Sequence, residues 1–187
     1  MKLVLGISGK RGVGKSMLGN YMRAFGFERL SLAGPLKQKC ITEFSFHDEQ
    51  VNGCLKESPT QYRRTDGSFF TPRDVMIRMG TFYRSIDKNF WLKQLDMHIA
   101  LHDKVVIDDV RFLNEIEYLK TKYNAKFIRL EREQELNVFK AALDDLSESE
   151  LDTYQDWDYR LIKELNRYPK DLEIFSQFVA DTVYNHV

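Results

Sequence analysis

The hydrophobic pattern of the first thirty residues changes from strand to helix and back to strand. Residues 2–8 form an apolar run, and after a glycine-rich turn the apolar positions recur with helical spacing from Met17 to Phe25. Gly26 then supplies a helix stop signal, and residues 27–32 alternate between apolar and polar as a strand does. The pattern therefore predicts a strand–helix–strand unit, which is typical of α/β proteins.

The remaining pattern continues in the same style, with one interruption. Periodicity is weak from about residue 46 to residue 70, where we expect a long irregular loop with a tight turn at Asp66-Gly67. Thr71, Pro72 and Asp74 form a strong helix start, because Thr can cap the helix and Pro suits its first position. Further strands are predicted at residues 104–109, 125–130 and 158–162, and further helices from Asp87 or Asn89 to about 101, through Tyr123, and over 171–184.

The glycine-rich turn itself matches the phosphate-binding loop pattern G-x-x-x-x-G-K-[ST]. Glycines allow backbone N–H groups to approach phosphate oxygens, and the following helix N-terminus adds partial positive charge. Lys15 would supply a full positive charge, and the Ser16 hydroxyl a ligand for Mg²⁺. The whole loop is predicted to bind a nucleoside triphosphate through Gly9, Lys10, Arg11, Gly12, Val13, Gly14, Lys15 and Ser16.

An acidic pair ends the predicted strand at residues 104–109. Ligands of open α/β sheets lie at the carboxyl ends of the strands, so an acid here would lie beside the phosphate-binding loop. We choose Asp109 over Asp108 as the acid near Mg²⁺. The alternative is that this acid caps the segment that follows.

Several arginines are candidates for binding phosphate. Arg73 and Arg84 belong to the helix that starts near Thr71, and Arg129 and Arg132 stand at the entrance of a charged stretch, residues 131–150. Part of that stretch could be a lid that closes over the nucleotide. The alternative for all of these side chains is a solvated, charged surface.

Composition narrows the function classes. The 187 residues are 43% hydrophobic, which is enough for one domain with an insertion. Lys and Arg together number 28, as do Asp and Glu, and this zero net charge argues against stable binding of long nucleic acid. Cys40 and Cys54 fit no metal or disulfide pattern, and no apolar stretch approaches bilayer length. We therefore expect a soluble, cytoplasmic protein with no membrane partner.

Taken together, several motifs resemble the bacteriophage-type deoxynucleoside monophosphate kinases, a branch of the P-loop nucleoside monophosphate kinase group. They are spread over most of the chain: the loop at residues 9–16, Ala33-Gly34-Pro35-Leu36-Lys37, Lys56-Glu57, Thr71-Pro72-Arg73, Gly80-Thr81 with Arg84, Phe90-Trp91, Asp109-Val110-Arg111-Phe112 with Asn114-Glu115, and Ser147-Glu148. Residues 62–70 have no counterpart in that pattern.

The resemblance implies an α/β P-loop NTPase fold of three layers, with a five-stranded parallel sheet flanked by helices. Residues 1–187 would form a single kinase domain, with a monophosphate-binding helical insertion at about 35–102 and a lid at about 131–150. In the host cell of a phage, such an enzyme would be cytoplasmic.

The resemblance also implies roles for individual residues. Arg73, Gly80, Thr81 and Trp91 would line the deoxynucleotide pocket, and Ser16 and Asp109 would lie near the metal. The full substrate-binding set is Lys37, Arg73, Asp74, Gly80, Thr81, Arg84, Trp91, Asp109 and Arg111. The catalytic set is Lys15, from the loop motif, Arg73 and Arg111, together with Arg129 and Arg132, which the charged stretch suggests and the resemblance does not place.

The reaction that these features imply is ATP plus a deoxynucleoside monophosphate giving ADP and the diphosphate, with Mg²⁺. The small-molecule acceptor could be bound by a monomer or a homodimer. Three alternatives remain: another small P-loop kinase similar to dephospho-coenzyme A kinase, a kinase of nucleic-acid ends, and a P-loop ATPase that acts as a switch. The accepted bases, and the choice between deoxyribose and ribose, are left open.

Overall fold

The structure is a computed structural model that describes residues 2–132, 150–163, 173, 175–178 and 180–181. The chain divides into two compact units. The first unit comprises Met1–Leu30 and His98–Val187, and the second unit comprises Ser31–Met97. The predicted insertion, about 35–102, overlaps the second unit. Most of the predicted lid, residues 133–149, lies outside the described residues.

A five-stranded sheet forms the centre of the first unit, in the strand order β2-β3-β1-β4-β5, and every pairing is parallel. This confirms the predicted α/β fold with its parallel sheet. β1 lies in the middle because its apolar residues leave no polar face for solvent, as expected of a central parallel strand. The strands are β1 Leu3–Ser8, β2 Glu28–Leu30, β3 Lys104–Ile107, β4 Lys126–Arg132 and β5 Tyr159–Lys163.

The helices predicted after the glycine-rich turn, from Thr71, from Asp87 or Asn89 and through Tyr123 are all present. The full set is α1 Lys15–Arg23, α2 Ala33–Phe44, α3 Asp48–Val51, α4 Pro72–Ile86, α5 Phe90–Leu101 and α6 Leu113–Tyr123, with short 3-10 helices at Cys54–Glu57 and Glu150–Asp152. No helix in the described ranges has the length and apolar character needed to cross a membrane.

The core of the first unit lies between the sheet and α1. Leu18 and Met22, one turn apart on α1, are fully buried against apolar residues of β1, β3 and β4. Phe175 and Phe178, from the predicted last helix, pack in the same cluster, and residues 175–178 are helical. The helix predicted at 171–184 is therefore supported where the structure describes it, and its other residues lie outside the described part.

The second unit is a small helical assembly with its own core. Leu36 and Cys40 of α2, Val51 of α3 and Trp91 of α5 are buried together with Val75 of α4. Burial raises the pKa of the Cys40 thiol to about 11, so this cysteine packs as a small apolar residue.

The irregular stretch predicted from residue 46 to residue 70 is more regular than expected. It contains α3 and the 3-10 helix Cys54–Glu57, which are too short to produce a periodic sequence signal. The turn predicted at Asp66-Gly67 is confirmed: Gly67 has a φ of 86°, and Arg63 and Phe69 form an antiparallel bridge on either side of it. Residues 60–70 therefore form a small hairpin, closed by Thr60 N–H donating to the Phe70 carbonyl at 2.8 Å.

Candidate functional site

The loop between β1 and α1 has the geometry of a phosphate cradle. Gly9 and Gly14 have φ values of 153° and 108°, which residues with a Cβ rarely adopt. A Cβ on Gly9 would also overlap the Leu130 carbonyl oxygen, so the glycine lets the loop lie directly against β4. Val13, fully buried, anchors the middle of the loop. The sequence of the loop therefore fixes its backbone against the end of the sheet.

Lys15 lies across this loop. Its Nζ atom donates hydrogen bonds to the Gly9 carbonyl at 2.6 Å and to the Lys10 carbonyl at 2.9 Å. The ammonium group is thus held at the N-terminus of α1, where the helix dipole also favours an anion. All eight residues that are predicted to bind the nucleoside triphosphate lie between the end of β1 and the first turn of α1.

Asp108, the first residue after β3, has its carboxylate beside the loop. The carboxylate is 4% exposed and accepts hydrogen bonds from Arg29 Nε at 2.9 Å and Arg29 Nη2 at 2.5 Å, both on Oδ2. The Ser16 hydroxyl donates to it as well. Burial raises the pKa of Asp108, the charge of Asp109 adds to that rise, and the Arg29 and Ser16 contacts oppose it.

From the sequence we choose Asp109, which is half-buried next to Asp108, and its proximity to Mg²⁺ stays a prediction. The structure adds Asp108, whose carboxylate contacts Ser16. Val105, Val106 and Ile107 of β3 are all fully buried, so the strand has no alternation from which to infer the direction of either acid. The one usable signal was Arg29 on the neighbouring strand, a positive charge that needed a partner.

The donor set at this point suits Mg²⁺. A serine hydroxyl and carboxylate oxygens are the hard ligands that Mg²⁺ prefers, and a buried carboxylate already contacts Ser16. Within the described ranges no group of three or more His, Cys, Asp or Glu residues could hold a metal by itself. A Mg²⁺ ion shared with substrate phosphates and water needs fewer protein ligands, so Ser16, Asp108 and Asp109 fit such an ion.

Arg129 and Arg132, both on β4, lie near the same loop. Arg132 Nη2 donates to the Gly12 carbonyl. Arg129 is largely buried, and its guanidinium contacts Asp152 Oδ1 at 3.2 Å and Ser8 Oγ at 3.4 Å. Asp152 also accepts from Lys10 Nζ at 2.5 Å, so one carboxylate links a loop lysine to Arg129.

Arg111 begins the turn that leads into α6. Its backbone N–H and that of Phe112 both donate to Glu115 Oε2, at 2.7 and 3.0 Å, and Glu115 is buried. This capping arrangement explains the Asn114-Glu115 part of the motif. The Arg111 side chain is half-buried in the first unit, and its phosphate-binding role stays a prediction.

In the second unit, α4 begins at an elaborate cap. The Thr71 hydroxyl accepts from Asp74 N–H at 3.1 Å, and Thr71 N–H donates back to Asp74 Oδ2 at 2.9 Å. The Thr71 N–H, and after it the Thr71 hydroxyl donating to Asp74 Oδ2 at 2.9 Å, lower the pKa of Asp74. Arg64 Nη2 adds an ion pair at 2.6 Å. Arg73, in the same first turn, pairs with Glu57, which is 61% exposed. Asp74 therefore has a clear structural role, and its substrate role stays a prediction.

The second half of α4 brings three further predicted residues together. The buried Trp91 donates from Nε1 to the Gly80 carbonyl at 3.3 Å. A Cβ on Gly80 would lie 3.3 Å from Arg84 Nη1, so the glycine gives the arginine room. Thr81 is exposed beside them, and Lys37 is half-buried on α2.

Comparison with known proteins adds a sequence relative and a fold. No family model matches the chain. A protein of Acanthamoeba polyphaga mimivirus, provisionally named a deoxynucleotide monophosphate kinase, is 28% identical over 195 residues, and the match covers 95% of each chain.

Two solved structures match over essentially the whole chain. Dephospho-CoA kinase from Campylobacter jejuni matches with a TM-score of 0.55 and 12% identity, covering 100% of both chains. A Thermus thermophilus protein matches with a TM-score of 0.57 and 13% identity, covering 100% of this chain and 98% of its own. At such identities the matches establish the fold alone. The chain has the P-loop kinase fold. Together with the viral relative, this fold supports a small P-loop kinase.

Proposed function

We propose that the protein is a deoxynucleoside monophosphate kinase, which transfers the γ-phosphoryl group of ATP to a deoxynucleoside monophosphate and releases ADP and the diphosphate. The observation that carries this proposal is the extent of the sequence match with the viral relative, which covers 95% of the chain. It extends beyond the P-loop, which many NTPases share, into the second unit, where the proposed acceptor residues lie.

The first unit is proposed to bind ATP. The loop backbone and the Lys15 ammonium would hold the β and γ phosphates, because the ammonium is already fixed at the N-terminus of α1. Ser16, Asp108 and Asp109 would hold Mg²⁺, which supplies positive charge to the phosphates when bound. Arg129, Arg132 and Arg111 are proposed to add positive charge near the transferred group.

The second unit is proposed to bind the acceptor. Arg73 is held in the first turn of α4, where the helix N-terminus already favours an anion, and its present partner is an exposed carboxylate that a phosphate can replace. Gly80, Thr81, Arg84 and Trp91 would line the nucleoside pocket. Lys37 of α2 and Asp74 of α4 belong to the same unit.

The chemistry needs charge neutralisation more than a general base. An oxygen of the acceptor phosphate attacks the γ-phosphorus, the bond from that phosphorus to the bridging oxygen breaks, and ADP leaves. The attacking oxygen is already an anion at neutral pH, so no side chain has to remove a proton from it. A closed site would exclude water as a competing acceptor, and residues 131–150 are the proposed lid. A cytoplasmic location belongs to the same proposal.

The decisive experiment measures ADP formation from ATP and Mg²⁺ with each deoxyribonucleoside and ribonucleoside monophosphate in turn. We expect one or more deoxynucleoside monophosphates to raise the rate far above a control without acceptor, with the matching diphosphate as product. Dephospho-coenzyme A and an oligonucleotide with a free 5′-hydroxyl are included as rival acceptors. If only a rival acceptor stimulates ADP formation, or if no acceptor stimulates it, the proposed reaction is wrong.

A further inference from the structure

Arg29 forms an ion pair with the buried carboxylate of Asp108 in the first unit. It lies on β2, and its side chain runs beside Gly19 of α1 to reach Asp108 at the end of the neighbouring strand β3. A Cβ on Gly19 would lie 3.2 Å from both Cδ and Nε of Arg29 and 3.3 Å from Cβ of Asp108. The absence of a side chain at Gly19 therefore leaves the space in which the arginine contacts the carboxylate.

The guanidinium is held from several sides. Nε and Nη2 donate to Oδ2 of Asp108, and Nη1 donates to Asn20 Oδ1 at 2.7 Å. A planar guanidinium fixed by two partners has one orientation, and it therefore fixes the carboxylate that it binds. Both contacts with Asp108 use the same oxygen, so Arg29 leaves Oδ1 unengaged.

Asp108, held in this way, in turn contacts the phosphate-binding loop. Its carboxylate accepts a hydrogen bond from the Ser16 hydroxyl, the loop's proposed ligand for Mg²⁺. The contacts thus run from Arg29 through Asp108 to Ser16. Residues that position a ligating side chain commonly alter metal affinity when they are changed, although they do not touch the metal.

We infer that Arg29 is a positioning residue for the Mg²⁺-dependent part of ATP binding, which it controls by fixing Asp108 against Ser16. The inference rests on the proposed ATP and Mg²⁺ site and does not depend on which acceptor the enzyme uses. Arg29 touches neither the phosphates nor the metal in this role. Its effect should therefore be confined to the gain in ATP affinity that Mg²⁺ provides.

The test measures ATP affinity by titration calorimetry in Mg²⁺ and again in EDTA, without any acceptor. In the wild type we expect tighter binding in Mg²⁺. In Arg29→Ala that gain should shrink about tenfold, the effect of losing a charge-assisted hydrogen bond, while the affinity in EDTA stays within about twofold of the wild type. Arg29→Lys, which keeps the charge but not the planar fork, should recover part of the gain.

Gly19→Ala provides a second probe that keeps Arg29 intact. The new Cβ would contact the side chains of Arg29 and Asp108 closely enough to displace them. Alanine favours the helix more than glycine does, so the protein should still fold. We expect the same selective loss of the Mg²⁺ gain from a folded protein, so the inference remains testable if Arg29→Ala does not fold. Arg23→Ala, an exposed arginine at the end of α1, is the matched control and should bind as the wild type does.

The outcomes separate the inference from the proposed function. If Arg29→Ala and Gly19→Ala keep the full Mg²⁺ gain, or lose affinity equally in Mg²⁺ and EDTA, Arg29 is a structural residue only and the inference is wrong. If the wild type binds no ATP in either condition, the proposed ATP site is wrong. If Arg29→Ala and Gly19→Ala lose the Mg²⁺ gain selectively but the wild type phosphorylates no acceptor, the proposed reaction is wrong while the inference stands.

Discussion

Lys15 is held in part by carbonyl groups of its own loop. Its ammonium contacts two loop carbonyls, and the loop conformation depends on glycines at positive φ and on Val13 in the core. The charge is therefore positioned before ATP binds, and little reorganisation is needed during the reaction.

Replacing Lys15 by alanine should lower kcat by roughly 10²–10³-fold, the typical effect of removing one group that stabilises the transition state. The check is the initial rate of ADP formation with saturating ATP and the best acceptor. Lys122→Ala, an exposed lysine on α6, serves as the control. A Lys15→Ala enzyme with the wild-type rate would remove the loop from the mechanism.

Arg73 is proposed to act on the acceptor alone. Its ion pair with Glu57 is largely exposed, and such pairs contribute about 0–1 kcal/mol, so an incoming phosphate can take the arginine at little cost. Arg73→Ala should lower kcat/KM for the acceptor by about 10²-fold while ATP affinity changes by less than about twofold.

The measurement pairs steady-state kinetics for the acceptor with calorimetric titration of ATP. Arg63→Ala, which removes an exposed arginine stacked on Phe69 in the same unit, controls for the loss of a positive charge. Equal losses of ATP affinity and acceptor efficiency in Arg73→Ala would show that the acceptor assignment is wrong.

Asp108 and Asp109 illustrate what single residues in a sequence do not reveal. Both are acids directly after a buried strand, and the rule that ligands gather at the strand ends selects the pair without choosing between its members. The choice depends on the direction of each side chain, and for Asp108 that direction is set by its contact with Arg29 beside Gly19. Neither contact leaves a trace in hydrophobic periodicity.

At the scale of elements, the start of α4 is the feature that the sequence described most completely. The Thr71, Pro72 and Asp74 signals predicted a capped helix, and the reciprocal Thr71–Asp74 bonds are present. Local rules suffice here because cap and partner lie three residues apart. Strand β2 was predicted over 27–32 and is shorter, Glu28–Leu30, because it is an edge strand with only β3 as a partner.

The Asp74 cap makes the stability of the second unit depend on pH. Its folded pKa lies below the ordinary value of 3.8, so the stabilisation is fully present above that value and is lost as the pH falls through the lower, folded pKa. At pH 7, Asp74→Ala should reduce the free energy of unfolding by about 1 kcal/mol, the usual effect of losing a cap.

The difference between wild type and Asp74→Ala should therefore shrink as the pH is lowered from 5 towards 3. Urea unfolding followed by circular dichroism at several pH values measures it, and comparing the two proteins cancels the titration of other carboxylates. A difference that is the same at every pH would mean that the Asp74 charge contributes nothing to the cap.

At the scale of the whole molecule, the strand order explains which side chains surround the phosphate-binding loop. β1 lies between β3 and β4, so the loop at its end meets Asp108 from one neighbour and Arg129 and Arg132 from the other. The sequence indicated the strands but not their order, because apolar strands buried on both faces carry no signal for their neighbours. The strand–helix–strand pattern indicates parallel strands, and the resemblance implies the same parallel sheet.

The assignment of donor and acceptor to different units gives a prediction for the intact chain. ATP with Mg²⁺ should slow amide hydrogen exchange at residues 9–16 and around Asp108, whereas a deoxynucleoside monophosphate should slow it in α4, between Arg73 and Arg84. Exchange slows because a ligand that binds only the ordered form reduces local opening, by about 2.7 kcal/mol at a hundred times Kd.

Lys15→Ala should lose the first protection and keep the second, and Arg73→Ala should do the reverse, as read by mass spectrometry of the exchanged peptides. This crossed pattern is a stronger test than the rate of either variant, because a variant that is merely unstable loses both protections together. If the monophosphate protects only peptides of the first unit, the second unit does not bind the acceptor, and the role proposed for Arg73 is wrong even if the enzyme proves to be a kinase.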